Sequence, residues 1–233
     1  MSDNAQQLFI IPYAGGSVAA FRRLTDRINS DIETITVEFA GRGTRAREAF
    51  AESFEALLKD AAEYICQRRN EAVPFSLMGY SMGSVMAYEM LAQNAVPGEL
   101  KHLFIAAEVS PKDRALELRK VEFPTEEMIL HRAKKLGGLD ERMLENKRFF
   151  DAFVRPMVSD YTLFYQYRFK ENPDKVKTNT TFFYCERDTA LKDLQKWDEL
   201  IDGRFDFHEF GENHFFINRY YEEMAGIINN HLT

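Results

Sequence analysis

The sequence predicts an α/β domain, a mostly parallel sheet with helices on both faces. Three observations predict it. Short apolar runs alternate with helical stretches, as strands do when crossover helices join them. Gly-containing turns close two of those runs, at Gly15-Gly16 and at Gly79-Tyr80-Ser81-Met82-Gly83. The alternation is interrupted once, over residues 112–170, and then resumes.

Residues 8–12 (LFIIP) are the first apolar run, and a helical stretch starts at Ser17 after the Gly-Gly turn. Residues 34–39 (TITVEF) are rich in β-branched side chains and read as a strand. Residues 53–69 carry Phe54, Leu57, Leu58, Ala61 and Ile65 on one helical stripe. A strand at 75–78, a helix at 81–94 and a buried strand at 103–107 (LFIAA) follow. Block 112–170 holds three predicted helices, at 125–136, 141–153 and 155–169, and no clear strand. The β pattern returns at 180–185 (TTFFYC), then a helix near 191–201, a strand at 204–210 and a last helix near 218–231. Because the chain returns to the same sheet, residues 112–170 read as an insertion over one sheet edge, and residues 1–233 as one domain.

The bulk composition narrows the classes. A chain of 233 residues suits one α/β domain, and 45% hydrophobic content with 20 Phe and 10 Tyr supplies a large core. With 30 basic and 37 acidic residues, the net charge of −7 argues against general nucleic-acid binding. Cys66 and Cys185 lie far apart and in no metal-type spacing, so neither a disulfide framework nor a metal site is expected. The first residues lack a basic segment followed by a long apolar one, and no run approaches the ~18–20 apolar residues that span a bilayer. A cytoplasmic protein without membrane or nucleic-acid partners is expected.

Gly-X-Ser-X-Gly between a strand and a helix is a nucleophile-elbow pattern. It lifts a serine, here Ser81, above the sheet and beside a helix N-terminus, where developing negative charge is favoured. The plainer alternative is a structural turn. A serine nucleophile needs a base. Of the five histidines, His102 precedes a strand, His131 lies on a helix of the block, His208 falls inside the last strand and His231 lies at the chain's end. His214 sits in the loop between the last strand and the last helix, at the sheet edge where the Ser81 turn emerges. An acid is expected between the two, at a strand's carboxyl end. Asp188 fits, with Glu108 and Asp113 as rivals, while Asp193 reads as a solvated helix residue. Oxyanion donors are expected at the backbone N–H groups of Met82 and Ala14, the second in the turn Pro12-Tyr13-Ala14-Gly15-Gly16. That turn also reads simply as a helix opening with Ser17 as its N-cap.

These stretches, together with FAGRGTRARE, LGGLDERMLENKRFFDAFVRPMVSDYTLFYQY, CERDTA and GENHFF, resemble a family along nearly the whole chain. It is the stand-alone (type II) thioesterases of nonribosomal peptide and polyketide synthesis, relatives of the medium-chain fatty-acid thioesterases. The resemblance implies the α/β-hydrolase fold with residues 112–170 as a helical lid. It puts the nucleophile on Ser81, the acid on Asp188, the base on His214 and the oxyanion donors on Ala14 and Met82. It implies hydrolysis of acyl groups from the phosphopantetheine arm of acyl or peptidyl carrier proteins, clearing stalled or misprimed synthases, with no cofactor beyond that substrate arm. A monomer is expected. Aromatic residues of the block (Phe149, Phe150, Phe153, Tyr161, Phe164, Tyr165, Phe169) are candidates for an acyl channel or for core packing, and Arg42, Arg45 and Arg47 for carrier contact or a solvated loop. The sequence departs from the family where Tyr13 and Tyr80 replace frequent histidines, Cys185 a glycine and Ala40 a frequent proline. The alternatives are a small-ester carboxylesterase with the same triad, a non-catalytic carrier-binding module and an acyltransferase.

Overall fold

The computed structural model describes residues 6–139, 144–172, 174–211 and 213–233. Six parallel strands form one sheet in the order β2-β1-β3-β4-β6-β8. They are β1 (Gln6–Ile11), β2 (Ile32–Thr36), β3 (Phe75–Tyr80), β4 (Leu100–Ala106), β6 (Thr180–Tyr184) and β8 (Phe205–Glu209). The central strands β1 and β3 are buried at every position. That is why they read as unbroken apolar runs, since a parallel strand is covered on both faces. Edge strand β2 is only partly buried.

The strand order reverses between β1 and β3. From β1 the chain moves outward to β2, then crosses back to β3 and proceeds to β4. Open parallel sheets bind ligands in the crevice at such a switch point, beyond the carboxyl ends of the strands. Here the two flanking turns are residues 12–17 after β1 and Ser81 after β3.

Two apolar clusters cover the faces. One face packs α1 (Val18–Thr25) and the last helix, α8 (Ile217–Leu232), against Leu8, Ile10, Met78 and Phe104. The other packs α2 (Phe54–Cys66), α3 (Met82–Ala92) and the helical block against Phe9, Ile11, Leu77 and Ile105. Alternate strand residues thus face opposite clusters, as the two-residue period requires. Among the described residues no helix is long and apolar enough to cross a membrane.

The block differs from the three predicted helices. An additional helix, α4 (Pro111–Leu118), opens it, with Ser110 Oγ accepting from the Asp113 N–H and Pro111 at the first position. These are standard start signals, masked in the sequence by the shortness of the helix. Helix α5 (Glu126–Lys135) matches the expectation. The start of the helix predicted over 141–153 lies outside the described residues. Its later part is one turn, Lys147–Phe149, and a π-helical segment, Phe150–Val154, running into α6 (Arg155–Phe164). The expected helix 191–201 is a single α turn, α7 (Leu191–Leu194), and a 3₁₀ segment, Gln195–Glu199. There Trp197 is fully buried against Tyr88 and Phe182. Beyond it β7 (Ile201–Asp202) pairs with β5 (Val176–Lys177) in a separate two-stranded ribbon too short to announce itself in the sequence. His102 falls within β4 rather than before a strand, because β4 starts three residues earlier than expected.

Candidate active site

Strand β3 ends at Tyr80 and α3 starts at Met82, so Ser81 alone makes the turn. It sits at φ 52°, ψ −123°, a region that side-chain-bearing residues seldom occupy. The flanking glycines permit it. A Cβ at Gly83 would lie 2.0 Å from the Ile11 carbonyl oxygen, and one at Gly79 2.3 Å from Ser84 Cα. A serine at a helix N-cap normally accepts a hydrogen bond from the first turn. Ser81 holds the N-cap position of α3 without making that bond, so its hydroxyl is not consumed by capping.

The structure brings Asp188 and His214 together. His214 Nδ1 and Asp188 Oδ2 are 2.6 Å apart. Asp188 follows β6 in a turn whose N–H groups, from Asp188 and Thr189, both donate to the Cys185 carbonyl at 2.9 and 2.8 Å. The Thr189 hydroxyl donates to Asp188 Oδ2 at 3.3 Å. Burial pushes the Asp188 carboxyl up, but the hydrogen bond and charge of His214 outweigh it and hold the carboxyl below its usual range. Ser81 and His214 are only 7% and 5% exposed.

The His214 loop is fastened to the residue next to Ser81. The buried Tyr80 hydroxyl donates to the His214 carbonyl at 2.6 Å. Tyr13, from the turn after β1, packs edge-on against both Tyr80 and Phe215, with ring centroids at 5.7 and 5.1 Å. Burial raises Tyr13 to about 12 and Tyr80 well above its usual value, so both remain neutral phenols. The two tyrosines that replace frequent histidines thus join three loops: the turn after β1, the Ser81 turn and the His214 loop.

The turn after β1 is tightly held. Gly16 N–H donates to the Tyr13 carbonyl at 2.8 Å, and Gly15, at φ 81°, donates its N–H to Asp160 Oδ2 at 2.7 Å. Ala14 lies between, 5% exposed. Met82 is the first residue of α3, so its N–H has no acceptor within the helix. The block closes over both loops. A Cβ on Gly15 would meet Met157 Cβ at 2.6 Å, and one on Gly138 would meet the Phe215 ring at 2.5 Å. The Gly137-Gly138 pair after α5 therefore lets the chain pass close to the His214 loop.

The rival acids are occupied elsewhere. Glu108 is buried and accepts from Arg114 Nε at 2.6 Å. Asp113 pairs with Lys196 at 3.0 Å, and Asp193 with the same lysine at 3.1 Å. His131 is exposed on α5. His208 and His231 both reach Asp206 Oδ2, at 2.8 and 3.2 Å. This is the group of described residues whose side chains converge closely enough to hold a metal ion. It lies away from Ser81, where His231 stacks on His102 near the start of β4.

Of the three arginines in the Gly-Arg-Gly segment, Arg42 is not at the surface. It is 3% exposed and bound to Asp160, while Arg45 pairs with Glu48 and Asp60, and Arg47 alone of the three is exposed. Asp160 is the residue that sequence reasoning missed. Its signal was an acid within the apolar stripe of α6 (RPMVSDYTLF), where a solvated position would be ordinary. Of the block's aromatics, Tyr161, Phe164 and Tyr165 are core, with Phe164 stacked on Phe54, while Phe149, Phe150, Phe153 and Phe169 are half-buried.

Comparison with known proteins bears on the family and the fold. The rat medium-chain S-acyl fatty acid synthase thioesterase is 26% identical over 220 residues, covering 92% of this chain and 82% of its own length. Phenyloxazoline synthase MbtB of Mycobacterium tuberculosis is 26% identical over 238 residues, covering 97% of this chain, which spans only 16% of that synthase. The type II thioesterase BorB from the borrelidin biosynthetic cluster superimposes with a TM-score of 0.80 at 22% identity, over 98% of this chain and 93% of BorB. That likeness establishes the α/β-hydrolase fold. The thioesterase domain family model matches residues 6–232, nearly the whole chain, and the chain therefore belongs to the thioesterase domain family.

Proposed function

We propose that this chain is a serine thioesterase that hydrolyses acyl groups from the phosphopantetheine arm of acyl or peptidyl carrier proteins, clearing stalled or misprimed synthases. The observation that carries it is the Asp188–His214 hydrogen bond of 2.6 Å, in a loop that Tyr80 ties to the strained, uncapped Ser81. Family membership supports the thioester, and similarity to a fatty-acid thioesterase, to a synthase and to a biosynthetic type II thioesterase supports carrier-bound substrates.

In this reading, Asp188 holds the Nδ1–H of His214, which leaves Nε2 as the base. Ser81 Oγ loses its proton to Nε2 and attacks the thioester carbonyl. The tetrahedral oxyanion is received by the Ala14 and Met82 N–H groups. Collapse breaks the C–S bond, and the imidazolium returns its proton to the departing thiolate. A water, deprotonated by the same nitrogen, then attacks the acyl-serine carbonyl. As the C–Oγ bond breaks and the acid is released, the imidazolium returns that proton to Ser81 Oγ, which restores the free enzyme. No resident cofactor enters this sequence.

Residues 112–170 act as the lid. Near-complete burial of Ser81 and His214, with Met157 of the block packed on Gly15 and Gly138 close to Phe215, supports that role, because a pantetheine arm must displace part of the block to arrive. The half-buried Phe149, Phe150, Phe153 and Phe169 then line the acyl path, and Arg47 remains as the exposed arginine for an acidic carrier.

The test is a hydrolysis panel of acetyl, longer acyl and aminoacyl groups on a carrier protein beside a simple oxygen ester. Carrier thioesters should be turned over, and Ser81→Ala should abolish both turnover and labelling by a fluorophosphonate. Turnover of the ester alone would identify a carboxylesterase. Full activity in Ser81→Ala would remove the serine from the chemistry.

A further inference from the structure

The buried ion pair between Arg42 and Asp160 has no part in the chemistry above. Asp160 is 1% exposed on α6, Arg42 3% exposed in the loop after β2. The pair is bidentate, with Nη1 to Oδ2 and Nη2 to Oδ1 both at 2.6 Å. Burying two charges is expensive, and a pair of apolar residues often serves stability as well. Such a pair is therefore weak evidence of a purely stabilising role.

What distinguishes this pair is what else it binds. Asp160 Oδ2 accepts the Gly15 N–H at 2.7 Å, and Arg42 Nη1 donates to the Gly16 carbonyl at 3.3 Å. Both partners thus grip backbone groups of adjacent residues, Gly15 and Gly16, in the turn that carries Ala14. Arg42 also lies over the Phe39 ring, 5.2 Å from its centroid. The loop is built to deliver it inward. Gly41 and Gly43 have φ of 82° and 51°, and Cβ atoms there would strike the Phe50 ring at 2.3 Å and the Glu38 carboxylate. From the other side, Met157, one turn before Asp160 on α6, presses on Gly15.

We propose that Asp160 and Arg42 are positioning residues that couple seating of α6 to assembly of the oxyanion site. With α6 docked, the carboxylate fixes the Gly15 peptide, and the Ala14 N–H is aimed at the acyl oxygen. With α6 lifted, Gly15 loses its charge-assisted acceptor and the turn relaxes. Closure of the block over a bound acyl group and completion of the oxyanion site are one event, and hydrolysis is suppressed while the block is open. This inference rests on the proposed thioesterase reading.

The experiment uses the full chain with Asp160→Asn, Asp160→Leu, the double variant Arg42→Met/Asp160→Leu and Ser81→Ala. Each is read by kcat and KM on an acyl thioester, by affinity for an acyl trifluoromethyl ketone that forms a tetrahedral adduct, and by thermal melting. The asparagine keeps an acceptor for the Gly15 N–H but loses the charge, so kcat should fall about 3–10-fold with KM unchanged, since charge-assisted bonds are about twice as strong as neutral ones. The double variant removes the acceptor without leaving a lone buried charge. It should melt near the wild type yet lose about 100-fold in kcat and in ketone affinity, the order expected for a misplaced oxyanion donor. A folded double variant with wild-type kcat and ketone affinity overturns the proposal. If the leucine variants do not fold, Asp160→Asn decides alone, and unchanged kcat and ketone affinity there overturn it. Ser81→Ala separates the two failures. If that variant is inactive while the Asp160 variants behave as wild type, the coupling is wrong and the thioesterase reading stands; if it stays active, the reading itself fails.

Discussion

The hydroxyl of the fully buried Tyr80 donates to the backbone carbonyl of His214 at 2.6 Å. The residue just before Ser81 thereby holds the loop of its proposed base. Tyr80→Phe keeps the ring and removes only the donor. A buried carbonyl left unpaired costs about 1–3 kcal/mol, so the variant should lose that much unfolding free energy by chemical denaturation. It should also lose kcat, because His214 is no longer fixed relative to Ser81. Full stability together with full activity would show that the bond does neither.

Gly83 packs its backbone against the Ile11 carbonyl, where a methyl group would sit 2.0 Å from the oxygen. The Ile11 and Pro12 carbonyls that it would meet are main chain, at and just after the end of β1, and cannot rotate away as a side chain could. Gly83→Ala should therefore destabilise by about 1–3 kcal/mol or more, as overpacking does. Gly226 offers the control, since nothing lies within 4 Å of a Cβ built there. In that helical position Gly226→Ala should stabilise by a few tenths of a kcal/mol to about 1 kcal/mol. Parallel denaturation curves of the two variants check both signs.

Positions fixed by local punctuation were legible in the sequence. Ser81 was marked by two glycines at a strand-to-helix change, and Asp188 and His214 by their places just after apolar runs. The structure puts these three at the carboxyl edge of one parallel sheet, with Asp188 and His214 in contact. What could not be read depended on tertiary contact. Arg42 and Asp160 are 118 residues apart, and each looks like an ordinary solvated charge until the fold buries both. Helix α4 and the β5–β7 ribbon were too short to carry a period. Tyr80 could be seen as a departure from the family, but its partner, a backbone carbonyl, leaves no mark in any sequence.

His102 lies in β4 with its ring stacked on His231 and its Nε2 at 2.8 Å from the Thr181 hydroxyl. Burial, with a smaller push from His231, lowers it to about 4. Its folded pKa lies below the unfolded value near 6.5, so between the two the unfolded chain binds the extra proton. Stability should therefore fall as the pH drops from about 6.5 to about 4, by at most about 3 kcal/mol from this residue. His102→Gln, which cannot titrate, should flatten that part of the curve. Denaturant melts at pH 7 and pH 4.5 on both proteins read the difference. An equal acid loss in the variant would assign it to other groups.

Asp188 has the opposite origin but the same direction. Its folded pKa is held below the ordinary carboxylate value because His214 outweighs burial. The stabilisation from this charge is fully present above the unfolded pKa, near 3.9, and is lost as the pH falls through the lower folded value. Asp188→Asn should remove that acid-limb contribution, so the stability gap between the two proteins is constant above about pH 5 and shrinks below pH 4. Activity should respond quite differently. An asparagine can hold His214 by its amide, but it favours the wrong tautomer and cannot balance an imidazolium. At neutral pH kcat should fall by about 10⁴-fold while the protein stays folded. A folded Asp188→Asn protein that hydrolyses thioesters at nearly the wild-type rate would move the acid's role elsewhere. Glu108 is the nearest alternative to test, and it would first have to give up its bond to Arg114.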